Sequence, residues 1–434
     1  MTDKPAFTRR EFIGNGAMIV STMATVPLFL ERSAWALTPA TGSAVKDRPG
    51  VPGERILVVV QMTGGNDGIN TVVPFGWREY YKARPGISIA EKNVIKLDSN
   101  TGLGLTPEMG DLKAMMDAGQ ALGVLGVGYP NPNRSHFSSM DIWHTADPTG
   151  RSGKGFGWIG RTLDEMRSQS KGKIDATACV CVGNESPLAA NGRQVKPVTF
   201  QDANLFRWSG GDLHASLAKE YEAINRAGVV GNIDPSSPMA FVMRTALDAQ
   251  IASQKIRAAV NKEPVTKFGE GKLAGQLRMV AAMIRAELPT RVYYVSLGGF
   301  DTHAGQPNTH GRNLREFSSA IRSFYAELKA IGAQSRVLTL AFSEFGRRVE
   351  QNASNGTDHG TAGPLFLFGE KVRATKTGLL GEQPSLAADR LDQGDLIYNT
   401  DFRSIYAAVL QDWMKVDVKD VLGAPFRPAS VIKT

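Results

Sequence analysis

The chain has 434 residues, of which 42% are hydrophobic and 21% are charged, and this composition is ordinary for a globular protein. The length is sufficient for one large domain or two smaller ones. The formal charge of +8 comes from scattered basic residues without a dense Lys/Arg run, so the sequence predicts no nucleic-acid partner. A mild positive excess of this kind is compatible with an anionic substrate, either a small molecule or a polymer.

The N-terminal segment has the three features of an export signal in the right order. TRREFI at residues 8–13 has the twin-arginine pattern, residues 16–30 are apolar, and AWA ending at Ala36 fits a cleavage site. We therefore predict a twin-arginine signal peptide over residues 1–36 and a linker over residues 37–52. The expected partner is the Tat export machinery, and the expected location is periplasmic or secreted. No later apolar run reaches ~18 residues, so no stable membrane span is expected after cleavage.

The rest of the chain alternates predicted strands with predicted helices. Short runs rich in β-branched and aromatic residues predict strands at residues 55–62, 121–127, 177–182, 291–297, 336–342 and 365–368. Amphipathic spacing predicts helices at residues 105–118, 135–144, 155–166, 313–331 and 401–414, and two more within 239–284. The alternation predicts an α/β domain over residues 53–434, with a central, mainly parallel sheet covered by helices on both faces and an insertion around residues 183–235.

Acidic residues follow three of these strands at the point where each strand ends. Asp67 lies in TGGNDG after the first strand, Asp301 and His303 lie in GGFDTH after residues 291–297, and Glu344 lies in SEFG. Because the carboxyl ends of parallel strands meet at one edge of a sheet, these side chains are expected to converge there.

A further pair, Asp358 and His359, lies in a glycine-rich loop before the last predicted strand. A carboxylate and an imidazole two residues apart, as in Asp301 and His303, can converge on one cation. Oxygen and nitrogen ligands of this mix suit Zn, Mn, Fe or Mg. The sequence therefore predicts a divalent metal centre.

Candidate catalytic residues lie at the start of the helix predicted at residues 135–144. Ser135 can act as a nucleophile assisted by the helix N-terminus, or it can serve only as the N-cap. Arg134 is placed to hold the oxygens of an ester, and His136 can relay protons, bind metal or cap the helix.

The metal-ligand assignments also have structural alternatives. Asp67 can be a simple turn former, and Glu344 can form an ion pair with Arg347 or Arg348. His310 is close enough in the sequence to His303 to replace it. The sequence leaves these alternatives open.

Taken together, the motifs GGNDG, NRSHF, GGFDTH, SEFGR, TDHGTAGPLFLFG and TDFRSIYAAVLQDW resemble those of the exported DUF1501 proteins. That family is placed in the alkaline phosphatase/sulfatase superfamily. The resemblance implies an alkaline phosphatase-like fold and, in catalytic members, one or two metals beside a nucleophile.

The resemblance also implies roles for particular residues. Asp67 matches the acidic ligand after the first strand, Ser135 stands near the nucleophile position, and Asp301 with His303 or His310 matches one Asp/His pair. His359 matches the last histidine. Phe345 departs from the pattern, because Glu344-Phe345 falls where catalytic members carry Asp-His.

An alternative alignment takes Asp358-His359 as that Asp-His pair, and then the last histidine is missing. Either alignment leaves one ligand short, which favours one metal or an altered second site. The sulfatase motif C/S-x-P-x-R is also absent, since Pro130 falls at the position that would be modified.

The sequence therefore predicts an exported metal-dependent hydrolase of a phosphate or sulfate ester. The alternative is a non-catalytic envelope protein for binding or assembly that retains the fold and one metal.

Overall fold

The computed structural model describes residues 54–149, 155–170, 174–203 and 252–433, together with residue 223. The predicted signal peptide, the linker and the larger part of the predicted insertion lie outside these residues. Among the described helices, none is both long enough and apolar enough to cross a membrane.

Nine of the described strands form one central sheet in the order β11-β5-β10-β9-β1-β8-β6-β7, with β14 beside β5. Strands β2, β4 and β3 form a small separate sheet, and β12 pairs with β13. The strands are β1 Ile56–Met62, β2 Val72–Val73, β3 Ile95–Asp98, β4 Leu103–Leu105, β5 Ala121–Gly128, β6 Cys179–Val182, β7 Val198–Phe200, β8 Val292–Leu297, β9 Val337–Phe342, β10 Gly363–Phe368, β11 Leu379–Leu380, β12 Leu391–Asp392, β13 Asp395–Leu396 and β14 Thr400–Asp401.

Helices cover both faces of this sheet. They are α1 Gly68–Thr71, α2 Arg78–Ala83, α3 Gly110–Asp117, α4 His136–Thr145, α5 Trp158–Gln169, α6 Lys272–Arg285, α7 Gln306–Ala330, α8 Phe402–Ala408 and α9 Val418–Leu422. The chain after α8 continues as a π-helical segment, Val409–Met414. The predicted α/β architecture is confirmed.

The alternation of side chains along β1 explains why both faces need cover. Ile56, Val58 and Val60 belong to the core that contains the apolar faces of α3, α6 and α7. Leu57 and Val59 point the other way, into the core formed with α4, α5 and α8. All seven residues of β1 are buried, as expected for a central strand of a parallel sheet.

The sheet is mainly parallel, but β10 runs antiparallel to both of its neighbours, β5 and β9. This direction matters for the site. Residues that precede β10 lie at the same edge as residues that follow β1, β8 and β9. The segment around His359 therefore reaches the carboxyl edge of the sheet from the opposite chain direction.

Helix α7 begins at Gln306, before the predicted start at residue 313. Its first two turns are polar, so the apolar repeat that predicts the helix becomes visible only at Leu314. The predicted helix at residues 105–118 is also shorter, because a 3-10 turn at Pro107–Met109 comes before α3.

Candidate metal centre

The loops that follow β1 and β8 touch at the carboxyl edge of the sheet. A Cβ atom on Gly64 would lie 2.3 Å from the backbone nitrogen of Asp301, and Gly64 has a φ of +119°. Both facts require glycine at this position. The close approach brings the Asp301 loop into the centre of the edge.

Three imidazoles surround the carboxylate of Asp301. Its Oδ1 atom is 3.0 Å from Nε2 of His303 and 3.1 Å from Nε2 of His359, and its Oδ2 atom is 3.4 Å from Nε2 of His136. The Nε2 atoms of His303 and His359 are 2.9 Å apart. His136, Asp301 and His359 offer ligand atoms that all lie within 4.8 Å of one another. We call these four residues the imidazole cluster.

The other ring nitrogen of each imidazole is held by an oxygen outside the cluster. Nδ1 of His136 lies 2.8 Å from Oε1 of Glu344, and Nδ1 of His303 lies 3.2 Å from Oδ1 of Asp358. Nδ1 of His359 lies 2.8 Å from the backbone carbonyl oxygen of Arg134.

A carbonyl oxygen can only accept a hydrogen bond, so Nδ1 of His359 must carry the proton, and the two carboxylates favour the same tautomer in their partners. In a neutral imidazole this leaves a lone pair on Nε2, which in all three residues is the atom that faces the cluster. Metal-binding histidines are oriented by outer hydrogen bonds of this kind.

The cluster fits a divalent cation on the chemistry of its donors. Nε2 of His136 is buried and has no hydrogen-bond partner. The two facing nitrogens of His303 and His359 would repel each other if both carried lone pairs with nothing positive between them. Three nitrogens and a carboxylate suit Zn, Fe or Mn better than Mg, which prefers oxygen ligands.

Electrostatics keep the carboxylate of this cluster charged. Partial burial raises the pKa of Asp301, but the hydrogen bond and the charge of Arg347 outweigh that effect, and the pKa is about 2. The hydrogen bond with Glu344 raises the pKa of His136, whereas burial lowers the pKa of His359. At neutral pH the cluster thus presents an ionised carboxylate and imidazole nitrogens to a cation.

Arg347 connects the loops of the site through hydrogen bonds from its guanidinium. Its fully buried guanidinium donates to the carbonyl oxygens of Gly65 and Thr357, at 2.8 Å each, and to those of Gly64 and Phe300. It also donates to Oδ1 of Asp301 at 2.6 Å. The sequence predicts Arg347 only as one of two ion-pair partners for Glu344. Its real partners are mostly backbone carbonyls, which leave no signal in a sequence.

The structure does not bring Asp67, which the sequence predicts as a metal ligand, into the cluster. Its carboxylate is completely buried, pairs with Arg84 at 2.5 Å, accepts a hydrogen bond from Gln306, and caps the first turn of α1. A cation is already present in the form of the Arg84 guanidinium. We therefore assign Asp67 to the stability of the fold.

Glu344 and Asp358, both predicted as metal ligands, contact imidazoles of the cluster from outside it. Glu344 is buried, accepts hydrogen bonds from the backbone nitrogen of Gly64 at 2.8 Å and from the hydroxyl of Ser343, and orients His136. It pairs with neither of its neighbouring arginines. Asp358 orients His303 in the same way. Both carboxylates contact the Nδ1 atom of an imidazole, on the side that faces away from the cluster.

Glu344→Gln is expected to lower the affinity for the metal by about 10–100-fold, because an outer partner that orients and charges a ligand has an effect of this size. The measurement is competition with a chelator of known affinity. Glu350→Gln, at an exposed position on the same loop, is the matched control. Equal affinities in the two variants would contradict the role assigned to Glu344.

The residues predicted as catalytic take different positions around the cluster. Ser135 is the N-cap residue of α4, but it is exposed, and its hydroxyl makes no capping hydrogen bond. His136 belongs to the imidazole cluster itself. The guanidinium of Arg134 pairs with the buried carboxylate of Asp395 at 2.7 Å, so in this structure it is directed at Asp395 and only its carbonyl supports the cluster.

Two other histidines are structural. Burial lowers the pKa of His310 to about 4, and its Nε2 bonds Asn66 at 3.0 Å, so it does not replace His303. Burial likewise lowers the pKa of His144 to about 4. The ring of Phe345 packs 5.0 Å from that of His136 and 4.8 Å from that of His359, and it forms an apolar wall for the cluster.

A family model described as "Protein of unknown function (DUF1501)" matches residues 54–422. No curated protein sequence matches the chain significantly. Among solved structures, an alkaline phosphatase superfamily protein from Vibrio parahaemolyticus is similar, with 8% identity, a TM-score of 0.29, and coverage of 80% of this chain and 69% of that one.

Two further solved structures are similar at the same level. The periplasmic domain of EcEptC from Escherichia coli, in complex with Zn, has 8% identity, a TM-score of 0.35, and coverage of 76% and 77%. The PsFucS1 sulfatase from Pseudoalteromonas sp. has 9% identity, a TM-score of 0.35, and coverage of 80% and 71%. At these values, the similarities carry no argument about activity or ligands.

Proposed function

The chain belongs to the DUF1501 family, and from the imidazole cluster that it carries we propose that it is a metal-dependent hydrolase of a phosphate or sulfate ester. The observation that supports this is the common orientation of three imidazoles. Each holds an outer oxygen through Nδ1 and turns Nε2 toward Asp301. Preorganisation of this kind is typical of histidines that bind a metal ion.

His136, Asp301 and His359 would hold one divalent ion, and His303 stands beside them. When bound, such an ion supplies Lewis-acid polarisation of an ester oxygen. The buried guanidinium of Arg347 already neutralises part of the charge on Asp301. This leaves the cluster with one place for a cation rather than two.

The start of α4 provides groups for the rest of the ester. The exposed hydroxyl of Ser135 is next to His136 in the chain, so it is available as a nucleophile, with water as the alternative. The first backbone amides of α4 have no side-chain cap and can hold the charged oxygens of the ester. Arg134 precedes these amides in the chain. Its guanidinium can contribute to the same anion site if it leaves the carboxylate of Asp395 and pairs with the substrate.

Hydrolysis of the ester breaks the bond from phosphorus or sulfur to the alcohol oxygen and forms a bond to the oxygen of Ser135 or of water. With Ser135 as the nucleophile, water then cleaves the resulting serine ester, which releases phosphate or sulfate and restores the hydroxyl. In either route the attacking oxygen gives up one proton to Nε2 of His303, which passes it on. The leaving oxygen takes up one proton. His303 is the most exposed imidazole of the cluster, with 45% of its side chain accessible, and Asp358 orients it. We assign the proton transfer to Nε2 of His303.

The central experiment measures metal content and turnover in protein purified after export. We expect one ion per chain, turnover of a phosphate or sulfate ester that a chelator abolishes, and recovery on adding the metal back. Ser135→Ala should keep the metal and lower turnover at least about 100-fold, as removal of a nucleophile does. Ser138→Ala in the same first turn is the control. Metal-loaded protein that hydrolyses no phosphate or sulfate ester would contradict the proposal.

A second candidate function is that of a non-catalytic binding or assembly protein in the envelope. The observation in its favour is that guanidinium groups stand beside both Asp67 and Asp301, at 2.5 Å and 2.6 Å. Arginine has thus taken up carboxylate charge that a second metal would need. This candidate predicts one bound metal and no turnover of any ester.

Export by the Tat machinery to the periplasm or beyond is part of the proposal, and it rests on the sequence of residues 8–36. Replacing Arg9 and Arg10 by lysine is expected to retain the protein in the cytoplasm, because the twin arginines are read by the export receptor. Cell fractionation with an antibody measures the distribution. Unchanged export of the twin-lysine variant would contradict the assignment.

A further inference from the structure

A cleft of about 210 Å³ opens at the same edge of the sheet as the imidazole cluster. Most of its wall is apolar, and its main lining residues are Tyr129, Pro132, Phe345, Leu396, Ile397 and Tyr398. Ile397 is 52% exposed, which is unusual for a large aliphatic side chain among the described residues. We call this space the aromatic cleft.

The aromatic cleft adjoins the cluster through two connections. The ring of Phe345 lines the cleft and also contacts the rings of His136 and His359. The loop at residues 131–136 begins at the cleft and ends in the cluster at His136. The cleft and the cluster therefore share the ring of Phe345, so a group bonded to an ester oxygen at the cluster lies next to the cleft.

We propose that the aromatic cleft binds the alcohol part of the substrate, an inference that rests on the proposed hydrolase function. This part of the substrate is an uncharged, ring-sized apolar group such as an aryl group. The volume of the cleft, about 210 Å³, exceeds the roughly 150 Å³ of an apolar cavity that accepts benzene. The substrate class is then an aryl ester, or a similarly flat apolar ester, of phosphate or sulfate.

The charges around the cleft support an uncharged occupant. Asp392 lines the cleft and disfavours an anionic extension of the alcohol. Asp395 precedes Leu396 of the cleft, and its carboxylate lies 2.7 Å from Arg134 and 3.7 Å from Arg348, so it offsets the charge of both arginines. With a divalent ion held at the cluster, negative charge on the substrate is favoured there and not in the cleft.

The test measures the binding of 2-naphthol, an uncharged aryl alcohol that needs no metal for binding. The full exported chain is titrated with it, and its fluorescence reports the bound fraction. We expect saturable binding both with and without chelator. Ile397→Asp should weaken it about 10-fold and Ile397→Ala less, since each removes apolar contact from the wall. Val265→Asp is the matched control, because Val265 is also an exposed aliphatic residue, at 63%, and does not line the cleft.

Turnover provides the second readout. Benzyl phosphate and methyl phosphate have leaving alcohols of similar acidity, so a difference between them reports contact with the ring. Benzyl phosphate should have a higher kcat/KM than methyl phosphate by about 10-fold, and Ile397→Asp should remove that preference while metal content stays unchanged. Naphthol that does not bind, or that binds equally well to Ile397→Asp and Val265→Asp, would overturn the cleft proposal. Naphthol binding without turnover of any ester would leave the cleft in place and reject the hydrolase function instead.

Discussion

Arg84→Met is expected to lower the free energy of unfolding by about 3–5 kcal/mol, the cost of breaking a buried ion pair from one side. Both side chains of the pair, Arg84 and Asp67, are completely buried at a separation of 2.5 Å. The guanidinium also donates to the backbone carbonyl oxygens of Arg348 and Val349 at 2.8 Å and 2.9 Å. Methionine fills the volume but leaves a buried charge and these carbonyls without partners. Urea unfolding followed by circular dichroism measures the change.

The control is Arg322→Met, which removes an exposed arginine that lies 3.0 Å from Asp111. An exposed pair of this kind contributes about 0–1 kcal/mol, so the variant should unfold almost like the wild type. The double variant Asp67→Asn, Arg84→Met should recover part of the loss, since no uncompensated charge remains. Equal destabilisation by Arg84→Met and Arg322→Met would show that the buried pair has no special role.

The same pair has a defined pH dependence. Burial raises the pKa of Asp67, but Arg84, His310 and hydrogen bonds outweigh it, and the net pKa lies below its ordinary 3.8. A carboxyl group with a lowered pKa adds stability above its unfolded-state pKa and loses it as the pH falls through the folded-state pKa. The difference between wild type and the double variant should therefore persist at neutral pH and shrink only below pH ~4.

Asp67 and Asp301 show how far the sequence predicts this site. Both follow a buried strand and a Gly-Gly pair, so both were predicted as ligands on the same grounds. They differ in a partner that lies outside the motif. Asp67 meets Arg84, which is 17 residues further along the chain, and Gln306 at the start of α7. A choice of this kind depends on tertiary packing, which strand and loop patterns do not contain.

His359 shows a different limit. The strand pattern predicted β10, and the motif predicted the histidine, but the sequence did not indicate that β10 runs antiparallel to its neighbours. That direction places His359 at the carboxyl edge, beside Asp301. Its tautomer is then fixed by the carbonyl oxygen of Arg134. Any residue type could supply that carbonyl, so the interaction leaves no mark in the sequence.

Asp301→Ala is expected to abolish both metal binding and turnover. Asp301 is the only carboxylate within the cluster, and it lies within 3.4 Å of all three imidazoles. Its loss should lower metal affinity more than the 10–100-fold typical of an outer partner, so Asp358→Asn provides the comparison for a weaker effect. Metal content by mass spectrometry and ester turnover are measured on the same preparations.

Loss of Asp301 also leaves the buried guanidinium of Arg347 without its carboxylate, so the alanine variant can lose stability as well as metal. Asp301→Asn keeps an oxygen for Arg347 to donate to while it removes the negative charge. If charge at the cluster is what holds the ion, the asparagine variant should unfold close to the wild type in a thermal melt and still lack metal. A variant of Asp301 that is folded, fully metal-loaded and active would reject the cluster as the metal centre, and with it the hydrolase that we propose.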